Sequence, residues 1–383
     1  MLTFLTAGES HGRALVAIID GLPANLSVDL DFINNQLARR QLGMGRGGRM
    51  KIESDQVSLL SGVRGSITIG SPVALLIENK DWVNWQQKMD PVKADTGDTL
   101  TTPRPGHADL AGSLKTGLTD LRNILERASA RQTASLVGAG AFAKLLLKEF
   151  GIEVISQVTA IGSVNAKPKI IRAQMLKDID ASPVRTADKE AERPMIQAIE
   201  DAQKSGDTLG GSFEVVATGV ISGLGSYSVA DKRLDGRLCQ ALVGIPAVKA
   251  ASVGQILETA FMRGSEAHDE IHYEDDKGYF RKTNKAGGIE GGVSNGSDIV
   301  LNGFMKPIPT LSKPLNTVDM QSKEAALAFK ERHDTVAVPA AAVIGEAAVA
   351  LELADAFMEK FGSDNLDDIK QNYQNYLNRI KSM

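Results

Sequence analysis

The sequence has few of the residues that covalent cross-links and metal clusters require. Cys239 is the single cysteine among 383 residues, so neither an intrachain disulfide nor a cysteine-based zinc site can form. The 5 histidines include no pair with convincing ligand spacing, and we expect no metal. A chain without disulfides fits a reducing compartment, and we predict a cytoplasmic protein.

The sequence also lacks the features of membrane and nucleic-acid proteins. No apolar run approaches the ~20 residues of a membrane-spanning helix. The 43 basic and 47 acidic residues give a net charge of −4, and aromatic residues make up only 5%. A globally basic nucleic-acid binder and a base-stacking surface are therefore disfavoured. We expect neither a membrane nor a nucleic acid as partner.

Glycine is present in excess. The 37 glycines gather in clusters, of which 282–298 is one, and such clusters indicate backbone that approaches a ligand closely. Alternating apolar residues predict strands, and a 3.6-residue period predicts helices. With no internal repeat and no clear linker, the sequence predicts one α/β (α+β) domain over residues 1–383.

The pattern predicts individual elements. Strands are predicted at 3–7, 13–20, 56–63, 71–79, 152–163, 212–220 and 299–310. Helices are predicted at 29–39, 126–150, 192–206, 234–244, 338–361 and 364–381. Pro194 is expected in the first turn of its helix. The stretch 164–192, with mixed charge and proline, is expected at the surface.

Two short motifs are rejected because their context is missing. Residues 8–12 (GESHG) match a nucleophile elbow, but no earlier strands exist to build an oxyanion hole and no helix follows. Gly43, Gly45 and Gly48 match the dinucleotide fingerprint, but a helix-like segment precedes them and MKIES follows. Neither serine hydrolysis nor a Rossmann unit is predicted.

Arginines concentrate in a few stretches of this net acidic chain. No acidic residue occurs from Phe32 to Ile52, which holds four arginines, and further arginines lie beside histidines or small residues. Arg127 and Arg131 are four residues apart and would share one helical face. Guanidinium forks bind carboxylate and phosphate, so the set predicts a polyanionic small-molecule site. For any single arginine, a surface salt bridge is the alternative.

Three separated motifs carry a resemblance to a known family. They are GESHGRALVAIIDGLP at 8–23, ERASARQTASLVGAGAFAK at 126–144 and RHDTVAVPAAAVIGEA at 332–347. With matching stretches between them, the chain resembles the chorismate synthase family along essentially its whole length. The resemblance implies a β-α-β sandwich, with central apolar helices between antiparallel sheets, usually assembled as a homotetramer.

The resemblance also implies an activity. The family consists of carbon–oxygen lyases acting on phosphates, which convert 5-enolpyruvylshikimate 3-phosphate to chorismate and phosphate by an anti-1,4 elimination. This shikimate-pathway step towards the aromatic amino acids requires reduced FMN without net redox change. The sequence leaves open whether the reducing equivalents come from NADPH at this protein or from a separate flavin reductase.

Roles for single residues follow from their positions in the family motifs. His11 is expected to protonate or hydrogen-bond the departing phosphate, His107 to stabilise charge at the flavin N1/O2 edge, and Asp334 to help a proton move at flavin N5. The arginines expected at the substrate and NADP anions are Arg40, Arg46, Arg49, Arg104 and Arg131. The residues expected at FMN are Arg127, Ala128, Ser129, Pro246, Ala247, Gly291, Lys306, Pro307, Ile308, Pro309, Thr310 and Arg332.

Alternatives stay open at this point. Asp334 is also suited to a helix N-cap or to a salt bridge with Arg332. Pro246 stands where the corresponding family stretch has Asn. The rival functions are an ordinary flavin oxidoreductase, with net hydride transfer, and a non-catalytic nucleotide- or RNA-binding module.

Overall fold

The computed structural model of the chain describes residues 2–47, 53–94, 97, 99–275 and 277–383. Its strands are β1 (Thr3–Ala7), β2 (Ala14–Asp20), β3 (Val57–Ser61), β4 (Val63–Arg64), β5 (Ile67–Thr68), β6 (Val73–Glu78), β7 (Glu153–Ile161), β8 (Val164–Asn165), β9 (Gly211–Thr218), β10 (Val248–Val253), β11 (Ile271–Glu274), β12 (Gly278–Arg281), β13 (Ile289–Glu290), β14 (Val293–Ser294), β15 (Ile299–Met305), β16 (Asn316–Val318) and β17 (Ala325–Leu327). Its helices are α1 (Leu30–Gln41), α2 (Asp109–Thr116), α3 (Arg122–Ala128), α4 (Thr133–Lys148), α5 (Leu176–Ala181), α6 (Lys189–Ser205), α7 (Leu234–Val243), α8 (Ile256–Thr259), α9 (Gly264–Ala267), α10 (Val338–Phe361) and α11 (Leu366–Lys381).

Two antiparallel sheets form the outer layers. The first has the strand order β1-β2-β6-β3, and the second has the order β10-β15-β9-β7-β8. In β2, Leu15, Ala17 and Ile19 are fully buried, whereas Ile18 is exposed. This alternation shows that one face of the sheet packs on the core and the other does not.

Two apolar helices lie between the sheets. Helix α4 packs on β2 and β6, while α10 packs on β7 and β9. The helices also pack on each other, and they run parallel, because Gly140 lies against Ala347 and Phe150 against Phe357. Alanine is frequent in both helices, and glycine stands at the contact itself, which permits this close crossing. The predicted fold class, with central apolar helices between antiparallel sheets, is confirmed.

The predicted helix at 126–150 is wrong in one respect. Ser129 has an extended backbone (φ −63°, ψ 141°), so α3 ends at Ala128 and α4 begins only at Thr133. Ser129 instead accepts a hydrogen bond from the backbone N–H of Arg131. The expectation that Arg127 and Arg131 share one helical face is therefore also wrong.

Two further expectations need correction. Helix α6 begins at Lys189, with Asp188 as its N-cap, so Pro194 lies in the second turn instead of the first. The stretch expected at the surface contains Arg185, whose side chain is fully buried. Arg185 pairs with Asp180, which offsets the cost of burying its charge.

No helix among the described residues is both long and apolar enough to cross a bilayer.

Candidate active site

A cavity of about 580 Å³ lies where the two central helices begin. Ala130, Arg131 and Thr133 line it from the start of α4, and Ala337 and Ala340 line it from the start of α10. The first backbone N–H groups of a helix have no partner within the helix, and the helix dipole places partial positive charge there. Two such termini favour an anionic ligand.

The side chains around the cavity carry an excess of positive charge. The cationic side chains that line it are Arg40, Arg46, Arg104, Arg131, Lys249, Lys306 and Arg332. The carboxylates that line it are Glu331 and Asp334. This excess contrasts with the net charge of −4 for the whole chain. The predicted clustering of arginines is thus a property of one cavity.

One buried carboxylate serves two of the arginines. Arg131 donates from Nη1 to Asp55 Oδ1 at 2.6 Å and from Nε to Asn79 Oδ1 at 2.8 Å. Arg40 Nη1 lies 3.4 Å from Asp55 Oδ2, and Arg40 Nε donates to Thr133 Oγ1 at 3.0 Å. Both guanidinium groups are therefore fixed in place before any ligand binds.

Arg40 is poorly compensated by its neighbours. Burial lowers the pKa of Arg40 to about 9, and the charges of Arg46 and Arg131 add to this effect while Asp55 opposes it. A bound carboxylate or phosphate would stabilise the charged form of Arg40. The electrostatics of this wall thus favour an anion in the cavity.

A second wall contains the other predicted arginine–histidine pair. Arg104 Nε donates to Asp109 Oδ2 at 2.8 Å, and its Nη1 donates to Thr310 Oγ1 at 2.9 Å. His107 Nδ1 lies 2.5 Å from Asp109 Oδ1. Burial alone would raise the pKa of Asp109, but hydrogen bonds from His107 and Arg104 outweigh it and hold that pKa well below its usual range. Asp109 therefore remains an ionised anchor for both side chains.

His11 lies on the turn between β1 and β2, where its ring lines the cavity. Glu126 Oε1 is 2.9 Å from His11 Nδ1, and Glu126 Oε2 accepts the His11 backbone N–H at 2.7 Å. The ring stacks on Trp85, with centroids 3.9 Å apart and an interplanar angle of 26°. The position and orientation of this histidine are thus defined on several sides.

Asp334 occupies a different setting from either alternative drawn from the sequence. Its Oδ1 accepts the backbone N–H of Gly47 at 2.6 Å, and its Oδ2 lies 3.1 Å from Arg46 Nη1. Helix α10 has Ala337 at its N-cap position, so the N-cap interpretation is wrong. Arg332 pairs with Asp81 at 2.6 Å.

The remaining wall of the cavity is apolar. Residues 245–248 line it from the segment between α7 and β10, Ile308 and Pro309 line it from the loop after β15, and Ala341 and Ile344 line it from α10. Ala247 has a positive φ of 68°. The cavity therefore has apolar lining residues in addition to the cationic ones.

The structure brings most of the predicted site residues to this cavity. Those that line it are His11, Arg40, Arg46, Arg104, His107, Ala128, Ser129, Arg131, Pro246, Ala247, Lys306, Ile308, Pro309, Thr310, Arg332 and Asp334. Arg127 instead donates to the backbone carbonyls of Thr6 and Gly8. Gly291 lies in the turn between β13 and β14. Arg127, Pro307 and Gly291 are not among the lining residues, and their part in an FMN site stays a prediction. Arg49 lies outside the described residues.

Sequence reasoning missed the residues that hold the predicted ones. Glu126 and Asp109 belong to stretches already singled out, since Glu126 opens the ERASAR motif and Asp109 follows His107 by two positions. Their positions within or beside these motifs could therefore have indicated that they belong to the site. Asp55 is 15 residues from Arg40 and 76 from Arg131, and Trp85 comes from the segment between β6 and α2; no sequence pattern around either residue indicates the contact.

Comparisons with known proteins agree on one family. The sequence profile of the family described as chorismate synthase matches residues 2–358. Chorismate synthase of Alkaliphilus metalliredigens (strain QYMF) is 52% identical, over 98% of this chain and 99% of that protein. Chorismate synthase of Desulforudis audaxviator (strain MP104C) is 53% identical, over 100% of this chain and 99% of that protein.

The similarity extends to three dimensions. A crystal structure of chorismate synthase is similar to this fold with a TM-score of 0.81 and 40% sequence identity, covering 100% of this chain and 99% of that chain. The matches to the curated relatives and to the solved structure extend over essentially the whole chain. The chain therefore belongs to the chorismate synthase family of shikimate-pathway enzymes.

Proposed function

We propose that this protein converts 5-enolpyruvylshikimate 3-phosphate to chorismate and inorganic phosphate by an anti-1,4 elimination, with reduced FMN bound in the same cavity. The observation that carries the proposal is one cavity with a cationic wall, an apolar wall and two histidines. The substrate has two carboxylates and a phosphate, which match the excess of arginines. The family membership supports this choice of reaction.

The cavity residues fit FMN in shape and in charge. A flat ring system suits the apolar surface formed by Pro246, Ala247 and Ile344. A phosphate suits Lys306 and Arg332. When bound, reduced FMN would lend electron density that helps the substrate phosphate leave and would then recover it.

The arginines of the cavity bind and orient the substrate. Arg40 and Arg131 are held by Asp55 in one fixed arrangement, so they bind an anion without first being ordered. His11 donates a proton or a hydrogen bond to a phosphate oxygen as the carbon–oxygen bond breaks, because a phosphate leaves more readily when its new charge is stabilised.

The second wall is assigned to the flavin. His107, oriented by Asp109, donates towards the N1/O2 edge of the ring. Asp334 accepts and passes on a proton near N5, and its bonds to Gly47 and Arg46 fix its direction. These roles follow from the family resemblance together with the positions of the three side chains on the cavity.

An anaerobic assay tests the proposal. The purified protein is mixed with 5-enolpyruvylshikimate 3-phosphate and with reduced FMN, oxidised FMN or no flavin, and chorismate is measured by its absorbance. We expect turnover only with reduced FMN, and no net consumption of reductant. Stoichiometric NADPH oxidation coupled to product would replace this function by a flavin oxidoreductase.

The proposal extends to the protein's assembly and supply of reductant. We propose a cytoplasmic homotetramer, which light scattering tests as a mass of four chains. NADPH supplies the reducing equivalents either at this protein or through a separate flavin reductase. Reduction of bound FMN by NADPH under anaerobic conditions, without any second protein, distinguishes the two routes.

A further inference from the structure

The carboxylate of Glu126 contacts His11 at two atoms. Glu126 accepts the backbone N–H of His11 with Oε2 at 2.7 Å, and its Oε1 lies 2.9 Å from ring Nδ1. The backbone carbonyl of Glu126 also accepts the N–H of Ser10 at 2.9 Å. The turn between β1 and β2 is thus tied to α3 next to the histidine. Glu126 is 3% exposed, so water competes little for these bonds.

The plane of the His11 ring is fixed as well. Trp85 stacks on the ring at 3.9 Å between centroids. Arg122 lies over the Trp85 ring at 5.0 Å and donates to Glu126 Oε1 at 3.1 Å. The indole and the carboxylate are therefore linked through one arginine. Rotation of the imidazole about its long axis would break the stack and the bond to Glu126 together.

The hydrogen bond between His11 Nδ1 and Glu126 has a defined donor and a defined acceptor. Burial alone would raise the pKa of Glu126, but the bonds from His11 and the charge of Arg122 outweigh it, and the pKa lies below its usual range. An ionised carboxylate accepts hydrogen bonds and donates none. His11 Nδ1 must then carry the proton of this bond. His11 lines the cavity, and the other polar atom of its ring, Nε2, lies on the side opposite Nδ1.

We propose that Glu126 is a positioning residue that keeps His11 protonated at Nδ1 and directs its Nε2 at the departing phosphate, with Trp85 fixing the plane of the ring. The identity of the phosphate rests on the proposed function, whereas the protonation of the ring does not. With Nδ1 bonded to Glu126, the ring can exchange a proton with a ligand only at Nε2. Without the Glu126 carboxylate, His11 would remain in place, but its ring would not be held with the proton on Nδ1.

The substitution Glu126→Gln separates position from charge. The buried His11 backbone N–H requires an acceptor, so we expect the amide oxygen to take the place of Oε2. The amide NH₂ then faces ring Nδ1, and the bond from Arg122 to Oε1 is lost. That NH₂ donates to Nδ1 and shifts the ring proton to Nε2. Glu126→Asp keeps the carboxylate with a shorter reach and serves as the conservative rescue.

The ring is examined first in the protein without ligands, by ¹⁵N NMR after labelling the histidines. The His11 signals are assigned by their loss in His11→Gln. We expect a protonated Nδ1 in the parent protein and in Glu126→Asp, and an unprotonated Nδ1 in Glu126→Gln. An unprotonated Nδ1 in the parent protein would overturn the proposal whatever the enzyme catalyses.

Kinetics with substrate and reduced FMN follow. We expect Glu126→Gln to lower kcat by roughly 10²–10⁴, the size of a general acid–base contribution, while KM changes less than about threefold. Glu126→Asp should recover at least about tenfold of that loss. The matched control is Glu214→Gln, because Glu214 is a half-buried carboxylate on β9 that accepts from Gln157 at 3.0 Å. The control should turn over like the parent.

The outcomes are distinguishable. If the parent protein forms no chorismate, the proposed function fails while the NMR result still decides the state of His11. If Glu126→Gln moves the proton but keeps the parent kcat, the positioning role fails while the function stands. If Glu126→Asp and Glu126→Gln lose activity equally although Nδ1 stays protonated in Glu126→Asp, the carboxylate contributes only to folding and the proposal is wrong.

Discussion

At the residue scale, a carboxylate that two arginines share determines how the cavity binds an anion. Asp55 contacts both Arg40 and Arg131, at 3.4 Å and 2.6 Å. Burial is the main cause of the lowered pKa of Arg40; Asp55 opposes it, while the charges of Arg46 and Arg131 add to it. A ligand carboxylate or phosphate supplies the missing charge. Anion binding is therefore favoured by charged side chains that the folded protein has already placed around the cavity.

The arginines of the cavity should consequently contribute far more to anion binding than cations on the surface. We expect Arg46→Ala and Arg131→Ala each to weaken substrate or FMN binding by roughly 2–5 kcal/mol, since a buried anion would lose its partner. Arg193→Ala is the matched control, because Arg193 is exposed on α6. Isothermal titration measures all three variants. Equal small losses at the three positions would reduce the cluster to a solvated surface.

Asp334 can be tested by a nearly isosteric change. Asp334→Asn keeps an acceptor for the Gly47 N–H but cannot relay a proton. We expect folding and FMN binding to persist while turnover falls by roughly 10²–10⁴. Single-turnover absorbance of the bound flavin shows which step slows. A near-normal single-turnover rate would end the catalytic assignment of this carboxylate.

At the element scale, the contact between α4 and α10 brings the two backbones unusually close. A Cβ built on Gly140 would lie 2.4 Å from the Cβ of Ala347 and 2.6 Å from its Cα. Only glycine at position 140 permits this distance, and the two helices then begin side by side at the cavity. The packing of the core thus sets the distance between the two helix N-termini that face the ligand.

The effect of a methyl group tests this contact. In an exposed helix, Gly→Ala stabilises by about 0.5–1 kcal/mol. We expect that gain for Gly236→Ala on α7, where the new Cβ meets nothing within 4 Å. Gly140→Ala should instead destabilise by roughly 1–3 kcal/mol, because α10 must move away. Urea denaturation compares the two, and a stabilised Gly140→Ala would show that the helices separate at little cost.

The elements also show what the sequence could predict. Helix 338–361 was predicted with its exact bounds, because a long apolar segment that follows a polar one has clear ends. The break at Ser129 was not predicted, since alanine and arginine on both sides favour a helix. It arises from a tertiary demand: Arg131 must reach Asp55 while Arg127 bonds to β1.

For the site, as for the helices, local sequence patterns predicted some residues and missed those that depend on tertiary contacts. Arginine and histidine clusters, together with the family motifs, indicated the cavity residues. Their anchors carry no local signal: Asp55 lies 76 residues from Arg131 although it is close to Arg40, and Trp85 belongs to a segment far from His11. Buried Arg185 was missed as well: Asp180 is close in sequence, but its other partner, Glu346, lies on α10, far along the chain.

At the scale of the whole molecule, charge is distributed unevenly. The chain carries a net charge of −4, while cationic side chains outnumber carboxylates around the cavity. Such an arrangement attracts an anionic substrate towards the cavity and repels it elsewhere. The effect weakens with salt, because surface fields are screened over about 8 Å at physiological ionic strength.

A buried charge network joins the layers of the sandwich. Glu346 of α10 is fully buried and accepts from Arg39 of α1 through two bonds of 2.8 Å. It also accepts from Lys144 of α4 and, at 2.6 Å, from Ser156 of β7. Three helices and one sheet therefore meet at a single carboxylate. Because Arg40 follows Arg39 directly, the same network holds a cavity arginine in place.

This network predicts how stability depends on pH. Burial alone would raise the pKa of Glu346, but Arg39 and Lys144 outweigh it and hold that pKa far below its usual value. The unfolded chain then binds the proton more tightly, so the stabilisation is present above about pH 4.5 and is lost as the pH falls. Each unit by which the pKa is lowered is worth about 1.4 kcal/mol. We expect the urea midpoint of the parent protein to drop steeply between pH 5 and pH 3.

The variant Glu346→Gln isolates this contribution. At pH 7 it should be less stable by roughly 3–5 kcal/mol, because the buried cations lose their counter-charge. Its stability should then change less between pH 5 and pH 3, since the glutamine does not titrate. Other carboxylates with lowered pKa values, Asp109 and Glu126 among them, stay intact in the variant and keep part of the slope. Parallel pH profiles for the two proteins would mean that Glu346 binds its proton alike in the folded and unfolded chains, which its buried contacts with Arg39 and Lys144 argue against.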